Sequence, residues 1–403
     1  LDYDAKGNIL KITDPLGNSY QLSYDSRNHL TNLEDPAGND YSFDYEGDDL
    51  VRFTDPKKGE TIFTYTSHHQ LKTLKDAKGN IITFDYEDLG NLITVKNPLG
   101  GQDSFTYDDI GRVISHSDPK GNRTSFARDG MGRITEVTYQ DESKKTYTYD
   151  CCRLTTVVDS NGTITFNYDS LKRPLSITDV YGKTISYGYD KNNNLTTLTY
   201  PDGKVVRYEY DKADRLINVA DWLNNITTYS YDSLGNLIKT TYPNRSVITY
   251  QYDNAYRLKS IVDIKSDGSL NAFYKYEFDS LGNRKTVSFY QLLNAIPSWP
   301  NSNYTHDSDN RLLTAGTTNF EYDDNGNLIT KTVGSNVTNY TWDFNNMLTH
   351  LTAGENSYEY RYDGLWGRIA RIENSVETRY VFGLAETDSS GNITAYYVYG
   401  LGL

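Results

Sequence analysis

The chain has 403 residues, of which 37 are tyrosine and two are cysteine. Its apolar share is roughly 35% when tyrosine is left out and glycine is counted, against a usual 45–50%, which argues against one solid globule with a large core. The formal net charge of −14 argues against nucleic acid as a partner, because an acidic surface repels phosphates. No apolar run approaches the length of a membrane span, so we expect no direct membrane insertion.

The chain repeats one motif, Y-D-x-x-G-N/R-L, about every 21 residues; we call it the YD motif. Its tyrosine position is held by Tyr24, Tyr45, Tyr65, Tyr86, Tyr107, Tyr149, Tyr168, Tyr189, Tyr210, Tyr231 and Tyr252. Arg128 occupies that position once, and less regular copies lie near Phe278, His306, Tyr322, Trp342 and Tyr362. A period of this length is typical of repeat architectures, so we expect the function to arise from the array.

A second motif, D-P-x-G-N, lies about half-way between successive YD motifs; we call it the DP motif. Copies run from Asp14 to Asn18, from Asp35 to Asn39 and from Asp118 to Asn122. This order suits a type I turn, because the aspartate bonds the backbone ahead, proline presets φ and glycine accepts the left-handed exit. The YD motif has the same spacing from aspartate to glycine, so each period predicts two turns and two strands.

The aspartates and glycines of the YD motif are interpreted as turn residues rather than as catalytic acids and bases. They recur at the same position of each copy, where capping of a turn accounts for them. The predicted turn residues are Asp25, Asp108, Gly111, Asp190, Asp211, Asp232, Gly235, Asp323 and Gly326. We therefore predict no catalytic residue and no cofactor. An alternative, a hydrolase hidden in the aspartates, would require several of them to converge away from the turn tips.

The residues before each YD motif alternate between apolar and polar side chains, as in Tyr20, Leu22 and Tyr24. This alternation predicts half-buried antiparallel strands whose tyrosines form a cross-strand ladder, and hence an all-β fold. The predicted ladder consists of Tyr24, Tyr45, Tyr86, Tyr107, Tyr168, Tyr189, Tyr210, Tyr231 and Tyr252. After the motif, leucines are spaced by three, as in Leu30 and Leu33, so either the first closes the turn or the strand is bulged.

The spacing of the repeats predicts four segments of one continuous body. Residues 1–262 form the regular array, and residues 263–317 are irregular. The irregular segment contains an expanded turn from Lys265 to Ser269 and a protruding loop at about 290–304. Repeats resume over 318–372, and residues 373–403 form a divergent C-terminal hairpin. Because Leu1 lies inside a repeat, we expect a fragment of a longer chain.

The YD motif, alternating with the DP motif over nearly the whole chain, resembles the YD-repeat or RHS-repeat family. That family includes Rhs polymorphic toxins, the B and C components of insecticidal Tc toxins, wall-associated bacterial proteins and the teneurins. The resemblance implies an antiparallel sheet that spirals into a hollow shell, with successive turns of the spiral hydrogen-bonded edge to edge. It also implies an enclosed partner, either the C-terminal polypeptide of the parent protein or neighbouring repeats.

The same resemblance implies a non-catalytic scaffold of a larger secreted or surface protein, bacterial rather than animal. Residues 396–403 resemble the approach to the RHS-associated core region, whose aspartates cut the cargo free in toxin members. The sequence does not include that region, so no protease residue can be assigned. The alternative is an extracellular adhesion or carbohydrate-binding module, because tyrosine and tryptophan rings stack on sugars. Trp299, in the predicted loop, is its candidate glycan contact.

The histidines and cysteines indicate a function less clearly than the repeated motifs do. The six histidines show no metal-ligand spacing, and the turns lack the established calcium-loop patterns, so we predict no metal site. Calcium bound by the Asp-rich turns stays an alternative. Cys151 and Cys152 are adjacent within a YD motif and are interpreted as two free thiols in a degenerate turn. A vicinal disulfide or a redox switch is the alternative reading of that pair.

Overall fold

The computed structural model describes residues 1–291 and 303–401, whose regular elements are β-strands. No helix within those ranges has the length and apolar character that a membrane crossing requires. The strands of the first range are β1 (Asp2–Tyr3), β2 (Ile9–Thr13), β3 (Ser19–Tyr24), β4 (Leu30–Glu34), β5 (Asp40–Glu46), β6 (Asp49–Thr54), β7 (Glu60–Tyr65), β8 (Leu71–Lys75), β9 (Ile81–Tyr86), β10 (Leu92–Lys96), β11 (Gln102–Tyr107), β12 (Val113–Ser117), β13 (Arg123–Arg128), β14 (Ile134–Thr138), β15 (Lys144–Tyr149), β16 (Leu154–Asp159), β17 (Gly162–Tyr168), β18 (Pro174–Thr178), β19 (Thr184–Tyr189), β20 (Leu195–Thr199), β21 (Val205–Tyr210), β22 (Leu216–Ala220), β23 (Ile226–Tyr231), β24 (Leu237–Thr241), β25 (Val247–Tyr252), β26 (Leu258–Ile264), β27 (Leu270–Phe278) and β28 (Arg284–Gln291). Those of the second are β29 (Tyr304–His306), β30 (Leu312–Ala315), β31 (Thr318–Tyr322), β32 (Leu328–Val333), β33 (Asn336–Trp342), β34 (Leu348–Ala353), β35 (Asn356–Tyr362), β36 (Arg368–Glu373), β37 (Val376–Val381), β38 (Ala385–Thr387) and β39 (Ile393–Tyr396).

The chain divides into two compact units, each made of two separate stretches of sequence. Unit 1 contains residues 1–82 and 209–291, and unit 2 contains residues 83–208 and 303–401. In unit 1, β1–β8 form one antiparallel ladder and β22–β28 form another, each strand pairing with the next in sequence. In unit 2, the same holds for β9–β21 and for β29–β39.

The strand after each YD turn is bulged, which confirms one of the two predictions made from the leucine spacing. Tyr24 pairs with Leu30, whereas Ser23 pairs with Asn32, so Thr31 is left over as an extra residue. The extra residue lets Leu30 and Leu33 face the same side of the sheet, since it restores the alternation that a spacing of three would break. The same register shift recurs at the later YD turns.

The irregular spacing after residue 262 arises from longer strands rather than from a larger turn. Lys265 donates its N–H to the carbonyl of Ser269 at 2.9 Å, and Gly268 donates to the carbonyl of Lys265 at 3.0 Å, as in the other turns. The prediction of an expanded turn there is therefore wrong. Strands β26, β27 and β28 contain 7, 9 and 8 residues, against 5 or 6 in most of the array. Most of the predicted loop at 290–304 lies outside the described residues.

Fully buried side chains are concentrated in unit 2. The buried apolar residues of its first ladder are Val137, Tyr139, Val157, Ile164, Ile185, Leu198, Tyr200 and Val206, and those of its second ladder are Ile369, Ala370, Val381 and Ala385. Most other apolar residues of the array are only half-buried. Burial in this fold thus arises where ladders cover one another, because a single sheet leaves both faces partly wet.

Candidate functional site

Each YD turn is built around the carboxylate of its aspartate. In the turn at 232–236, Oδ1 of Asp232 accepts the backbone N–H groups of Leu234 at 3.0 Å and Asn236 at 2.8 Å. Oδ2 accepts the side-chain amide of Asn236 at 2.9 Å, and that hydrogen bond is the main cause that lowers the pKa of Asp232. Gly235 has a φ of 92°, a left-handed conformation that glycine adopts without steric cost.

The other predicted turn residues occupy the same kind of position. Gly111 and Gly326 have φ values of 79° and 83°. The aspartates whose carboxylates accept backbone N–H groups two or four residues ahead include Asp25, Asp108, Asp190, Asp211 and Asp323. The arrangement holds these carboxylates in hydrogen bonds within their own turns.

Arginine at the N/R position of the motif connects neighbouring YD turns. Arg215 donates Nε to Oδ2 of Asp211 at 2.7 Å, within its own turn. Its guanidinium lies 4.8 Å from the ring centre of Tyr231, and Nη1 reaches the carbonyl of Asp232 in the next turn at 3.2 Å. Arg133, Arg153, Arg173 and Arg311 bind the next turn in the same way. Asparagine at this position also caps its own turn, and in two copies its amide reaches an asparagine of the next turn: Asn8 donates to Asn28 Oδ1 at 3.1 Å and Asn327 to Asn346 Oδ1 at 2.7 Å.

The tyrosine of the YD motif also bonds through its hydroxyl. The DP hairpins pair over few residues, as in Lys11 to Thr13 with Ser19 to Gln21, and their strands separate towards the YD turns. The tyrosine hydroxyl donates across this gap to the carbonyl of the first residue of the earlier strand, or of the second where the acceptor is Leu50. The bonds join Tyr24 to the carbonyl of Ile9 (3.0 Å), Tyr65 to Leu50 (2.8 Å), Tyr107 to Leu92 (2.6 Å), Tyr149 to Ile134 (2.9 Å), Tyr168 to Leu154 (2.8 Å), Tyr231 to Leu216 (2.8 Å), Tyr252 to Leu237 (3.0 Å), Tyr322 to Leu312 (2.9 Å) and Tyr362 to Leu348 (2.8 Å).

Where another residue replaces the tyrosine of the YD motif, its side chain forms the same hydrogen bond. Arg128, in place of tyrosine, donates Nη2 to the carbonyl of Val113 at 3.3 Å. Trp342 donates its indole Nε1 to the carbonyl of Leu328 at 2.8 Å. Among the remaining predicted ladder residues, Tyr45 stacks on His29 with ring centres 4.6 Å apart, Tyr189 lies beneath Arg173, and Tyr86 and Tyr210 end β9 and β21. The use of tyrosine rather than phenylalanine was the signal for this bond in the sequence.

Within unit 2, YD turns of the second ladder pack against DP-type turns of the first; we call this contact the seam. The amide of Asn325 donates to Oδ2 of Asp118 at 2.7 Å, and Lys120 Nζ lies 3.3 Å from Oδ2 of Asp323. Further bonds join Asn161 Nδ2 to the carbonyl of Tyr362, Lys183 Nζ to that of Gly391 and Tyr200 Oη to that of Tyr397, each at 2.8 Å. A side chain donates each of these bonds, and Asn325 Oδ1 also accepts the backbone N–H of Lys120 at 3.2 Å. The expected edge-to-edge backbone pairing between successive ladders is thus replaced here by contacts between turn tips.

One glycine permits the closest approach at the seam. A Cβ added at Gly364 would overlap with Cγ1 of Val157, whose side chain is buried. Gly364 follows the aspartate of its YD turn, a position that other copies fill with larger residues such as Ser233. The local motif therefore does not require glycine at Gly364, whereas the packing against the first ladder does.

Comparisons with known proteins identify repeats in two parts of the chain. Residues 101–288 match the family model described as Teneurin YD-shell, and residues 3–40 match the model described as RHS Repeat. The chain contains an array of RHS/YD repeats. No curated protein sequence matched it. The family resemblance inferred from the motifs is therefore confirmed.

Solved structures similar to the RHS/YD array include those of Tc toxin proteins. The chain matches TcdB2-TccC3-Cdc42 with a TM-score of 0.65 at 15% identity, covering 97% of this chain and 29% of that one. It matches TcdB2-TccC3 without its hypervariable C-terminal region with a TM-score of 0.65 at 16% identity, covering 98% and 29%. For the Photorhabdus luminescens Tc holotoxin pore the TM-score is 0.61 at 16% identity, covering 93% and 27%. At these identities the likeness shows the fold, and the chain spans less than a third of the chains it matches.

The all-β prediction is thus confirmed: the RHS/YD array consists of long antiparallel sheets of many short strands. At the seam, it also encloses polar groups. Lys145 is 7% exposed, and its Nζ lies 5.0 Å from the ring centre of Trp366. Burial lowers the pKa of Lys145, although three aspartates (Asp159, Asp343 and Asp363) act in the opposite direction.

Two buried aspartates at the seam differ from those of the exposed turns. Burial raises the pKa of Asp179, and within the described part of the chain its Oδ2 has no hydrogen-bond partner. Burial likewise raises the pKa of Asp363, even though its Oδ1 accepts the N–H of Gly367 at 2.9 Å. At these two positions the seam disfavours the negative charge that exposed turns stabilise, whereas at Asp323, also at the seam, burial is outweighed by hydrogen bonds, which hold the pKa of that carboxyl below its ordinary value.

Two cavities open at the seam of unit 2. The larger, of about 430 Å³, is lined by the rings of Phe126, Tyr139, Tyr147, Tyr149, Phe344 and Trp366, together with His116, Asp118, Asn122, Asn345 and Asn346. The smaller, of about 230 Å³, shares Tyr139, Phe344, Asn345 and Trp366 with it. Burial raises the pKa of Tyr139 to about 12, so its hydroxyl stays protonated at neutral pH. Aromatic walls with a few amide and carboxylate groups can hold a neutral ligand that has both apolar and polar faces.

The structure tests neither the metal prediction nor the glycan prediction. Over residues 1–291 and 303–401, the structure brings together no group of three or more His, Cys, Asp or Glu side chains suited to a metal ion. The absence of metal sites stays a prediction. Trp299, the candidate glycan contact, lies outside the described residues. The aromatic cavity was not predicted, because its walls come from two ladders that no motif relates to each other.

Proposed function

We propose that the chain is a non-catalytic wall segment of a shell that encloses a polypeptide. The seam supports this proposal most directly, since contacts between turn tips let successive ladders lie side by side. The turns are occupied by their own hydrogen bonds, which favours a scaffold over a hydrolase. The similarity to TcdB2-TccC3 and to a Tc holotoxin supports a place in a larger bacterial protein, secreted or on the cell surface.

The enclosed partner would be a C-terminal polypeptide of the same protein or neighbouring repeats. A wall of this kind acts by excluding proteases and solvent from what it surrounds, so it needs stability rather than reactive groups. Electron cryomicroscopy of the protein that carries the array tests the proposal. A closed particle with polypeptide density inside supports it, and protease should then cut the inner segment only after denaturant opens the particle. An open sheet whose segments are all cut at the same rate contradicts it.

A second candidate function, carbohydrate binding by a surface module, is favoured by the aromatic cavity. Its rings offer stacking surfaces, and Asn345, Asn346 and Asp118 offer hydrogen bonds. A glycan array probed with the intact chain tests this function. Binding should weaken in Phe344→Ala and persist in Phe289→Ala, a control of similar exposure on β28 (38% and 43%). Equal loss in both variants, or no bound glycan, contradicts it.

A further inference from the structure

The YD turn at Asp150 differs from the others by being one residue shorter. In the preceding turn, Asp129 donates its N–H to the carbonyl of Arg133, four residues ahead, at 2.9 Å. Asp150 instead donates to Arg153, three residues ahead, at 2.9 Å. Both cysteines of the chain, Cys151 and Cys152, lie at the tip of this short turn and are exposed. Their Sγ atoms lie 3.0 Å apart.

The backbone holds this pair of thiols in place. Oδ1 of Asp150 accepts the N–H groups of Cys152 at 2.8 Å and Arg153 at 2.7 Å. From the preceding turn, Arg133 donates Nη1 to the carbonyls of Asp150 at 3.2 Å and Cys151 at 3.4 Å. The two turns are therefore in direct contact through the backbone carbonyls of Asp150 and Cys151.

Adjacent cysteines are poorly placed for a direct sulfur–sulfur bond. Consecutive Cα atoms are about 3.8 Å apart across a trans peptide, whereas disulfides span about 4.4–6.8 Å between Cα atoms. A bridging metal atom allows a wider separation, because two thiolates at about 2.3 Å from one metal are roughly 3.8 Å apart in a tetrahedral arrangement and roughly 4.0 Å apart in a trigonal one. The Sγ atoms, now 3.0 Å apart, would have to move apart to reach either separation. The geometry thus favours a bridging atom over a disulfide.

The ligands available nearby indicate the class of metal. Zinc takes four ligands, but among residues 1–291 and 303–401 no third His, Cys, Asp or Glu joins the pair. Soft thiolate and thioether ligands select Cu(I). Met131, at the tip of the turn that contacts Cys151 through Arg133, is 73% exposed. Its long, flexible side chain carries a soft thioether sulfur.

We propose that Cys151 and Cys152 form a dithiolate site for Cu(I), with Met131 as a third sulfur ligand. Each thiol releases its proton to solvent as its sulfur bonds to the copper, and no electron is transferred. The site uses exposed turn tips alone, so it is independent of any enclosed polypeptide.

Anaerobic titration of the reduced chain with Cu(I), in competition with a coloured Cu(I) chelator, tests the proposal. We expect one Cu(I) per chain. Cys151→Ser and Cys152→Ser should each lose more than the roughly 10- to 100-fold in affinity that removal of an outer partner costs, because a direct ligand is lost. Met131→Leu leaves both thiolates and removes only the neutral thioether, a weaker ligand, so it should lose about 10-fold, less than either serine variant. Met347→Leu, the matched control, should bind like the parent chain.

Three results would overturn the proposal. The first is that the chain takes no copper from the chelator, and the second is that the serine variants bind Cu(I) as tightly as the parent. The third is that a disulfide oxidant converts the parent chain to a form 2 Da lighter while Cu(I) stays unbound. Circular dichroism of each variant detects misfolding, which we do not expect from substitutions of exposed side chains at a turn tip. If Met131→Leu and Met347→Leu bind equally, the thioether assignment is wrong.

Discussion

Residues 1–82 and residues 115–206 consist of the same repeat, yet they differ in burial. Of residues 1–82, all of which the structure describes, Asp35 alone is buried. The later stretch includes Val157 at 1% exposure, Ile185 at 0% and Val206 at 0%. Both have the same two turns, the same bulge and the same tyrosine bond, so the motif does not set the burial. The packing of a second ladder along the seam does.

This difference in burial indicates that two kinds of interaction hold the array together. Turn carboxylates and tyrosine hydroxyls act within one ladder and are present in both stretches. Apolar contacts and charge burial act between ladders and are added at the seam. Because a repeat protein gains its stability from neighbour contacts, damage at the seam should exceed damage within a ladder.

Substitution of Gly364 by alanine should produce the largest effect, by breaking the seam. The new Cβ would overlap with the buried side chain of Val157, and overpacking of this kind costs about 1–3 kcal/mol in the free energy of unfolding. Urea denaturation followed by hydrogen exchange should show the loss in unit 2, with amides of residues 1–82 unchanged.

Gly130→Ala is the matched control for that experiment. Gly130 occupies the same position of its own YD turn, and an added Cβ there meets nothing within 4 Å. It should change stability by only a few tenths of a kcal/mol. Equal destabilisation by the two variants would mean that the turn, rather than the seam, requires glycine.

The local features could be predicted from the sequence because their causes are local. Strand alternation, the two turns and the bulge after Leu30 each depend on residues a few positions apart. The seam could not be predicted, since Asn325 and Asp118 are 207 positions apart and no period relates them. The tyrosine bond was missed for a different reason: its acceptor is a backbone carbonyl, such as that of Ile9, and carbonyls leave no mark on the sequence.

Arg128→Tyr should stabilise the covered stretch, by restoring the motif where it is broken. The arginine reproduces the tyrosine bond to Val113, but its Nε is buried and, within the described residues, has no hydrogen-bond partner. A return to the repeat consensus typically adds about 0.5–2 kcal/mol. We expect a higher urea midpoint for this variant. Arg123→Tyr, an exposed position on the same strand, is the control for strand propensity, and an equal gain there would contradict the explanation.

Removal of the tyrosine hydroxyl should cost the same in both stretches, because the bond lies within a ladder. Tyr24→Phe and Tyr168→Phe each lose a bond to a backbone carbonyl, at 3.0 Å and 2.8 Å, worth about 0.5–1.5 kcal/mol. Tyr45→Phe serves as the control, since the Tyr45 ring stacks on His29. A much larger loss for Tyr168 than for Tyr24 would show that the seam also acts on bonds within the ladder.

The smallest expected effect concerns how stability depends on pH. Two aspartates at the same turn position should contribute to that dependence with opposite signs. The pKa of Asp14 is lowered, mainly by the side-chain hydrogen bond from Asn18, so its stabilising contribution is present above the ordinary value of 3.8. That contribution is lost as the pH falls through the lowered folded-state pKa. Burial raises the pKa of Asp179, so its charge opposes folding above the raised value, and stability is regained as the pH falls through it.

The two asparagine variants should therefore depend on pH in opposite directions. Relative to the parent chain, Asp14→Asn should become less stable as the pH rises from about 3 to 7, because a favourable charge is missing. Asp179→Asn should become relatively more stable over the same range, because an unfavourable charge is missing. Urea midpoints at several pH values measure both slopes. Parallel slopes would mean that the seam leaves the aspartate in an environment like that of an exposed turn, and the contrast between the two stretches would then rest on apolar packing alone.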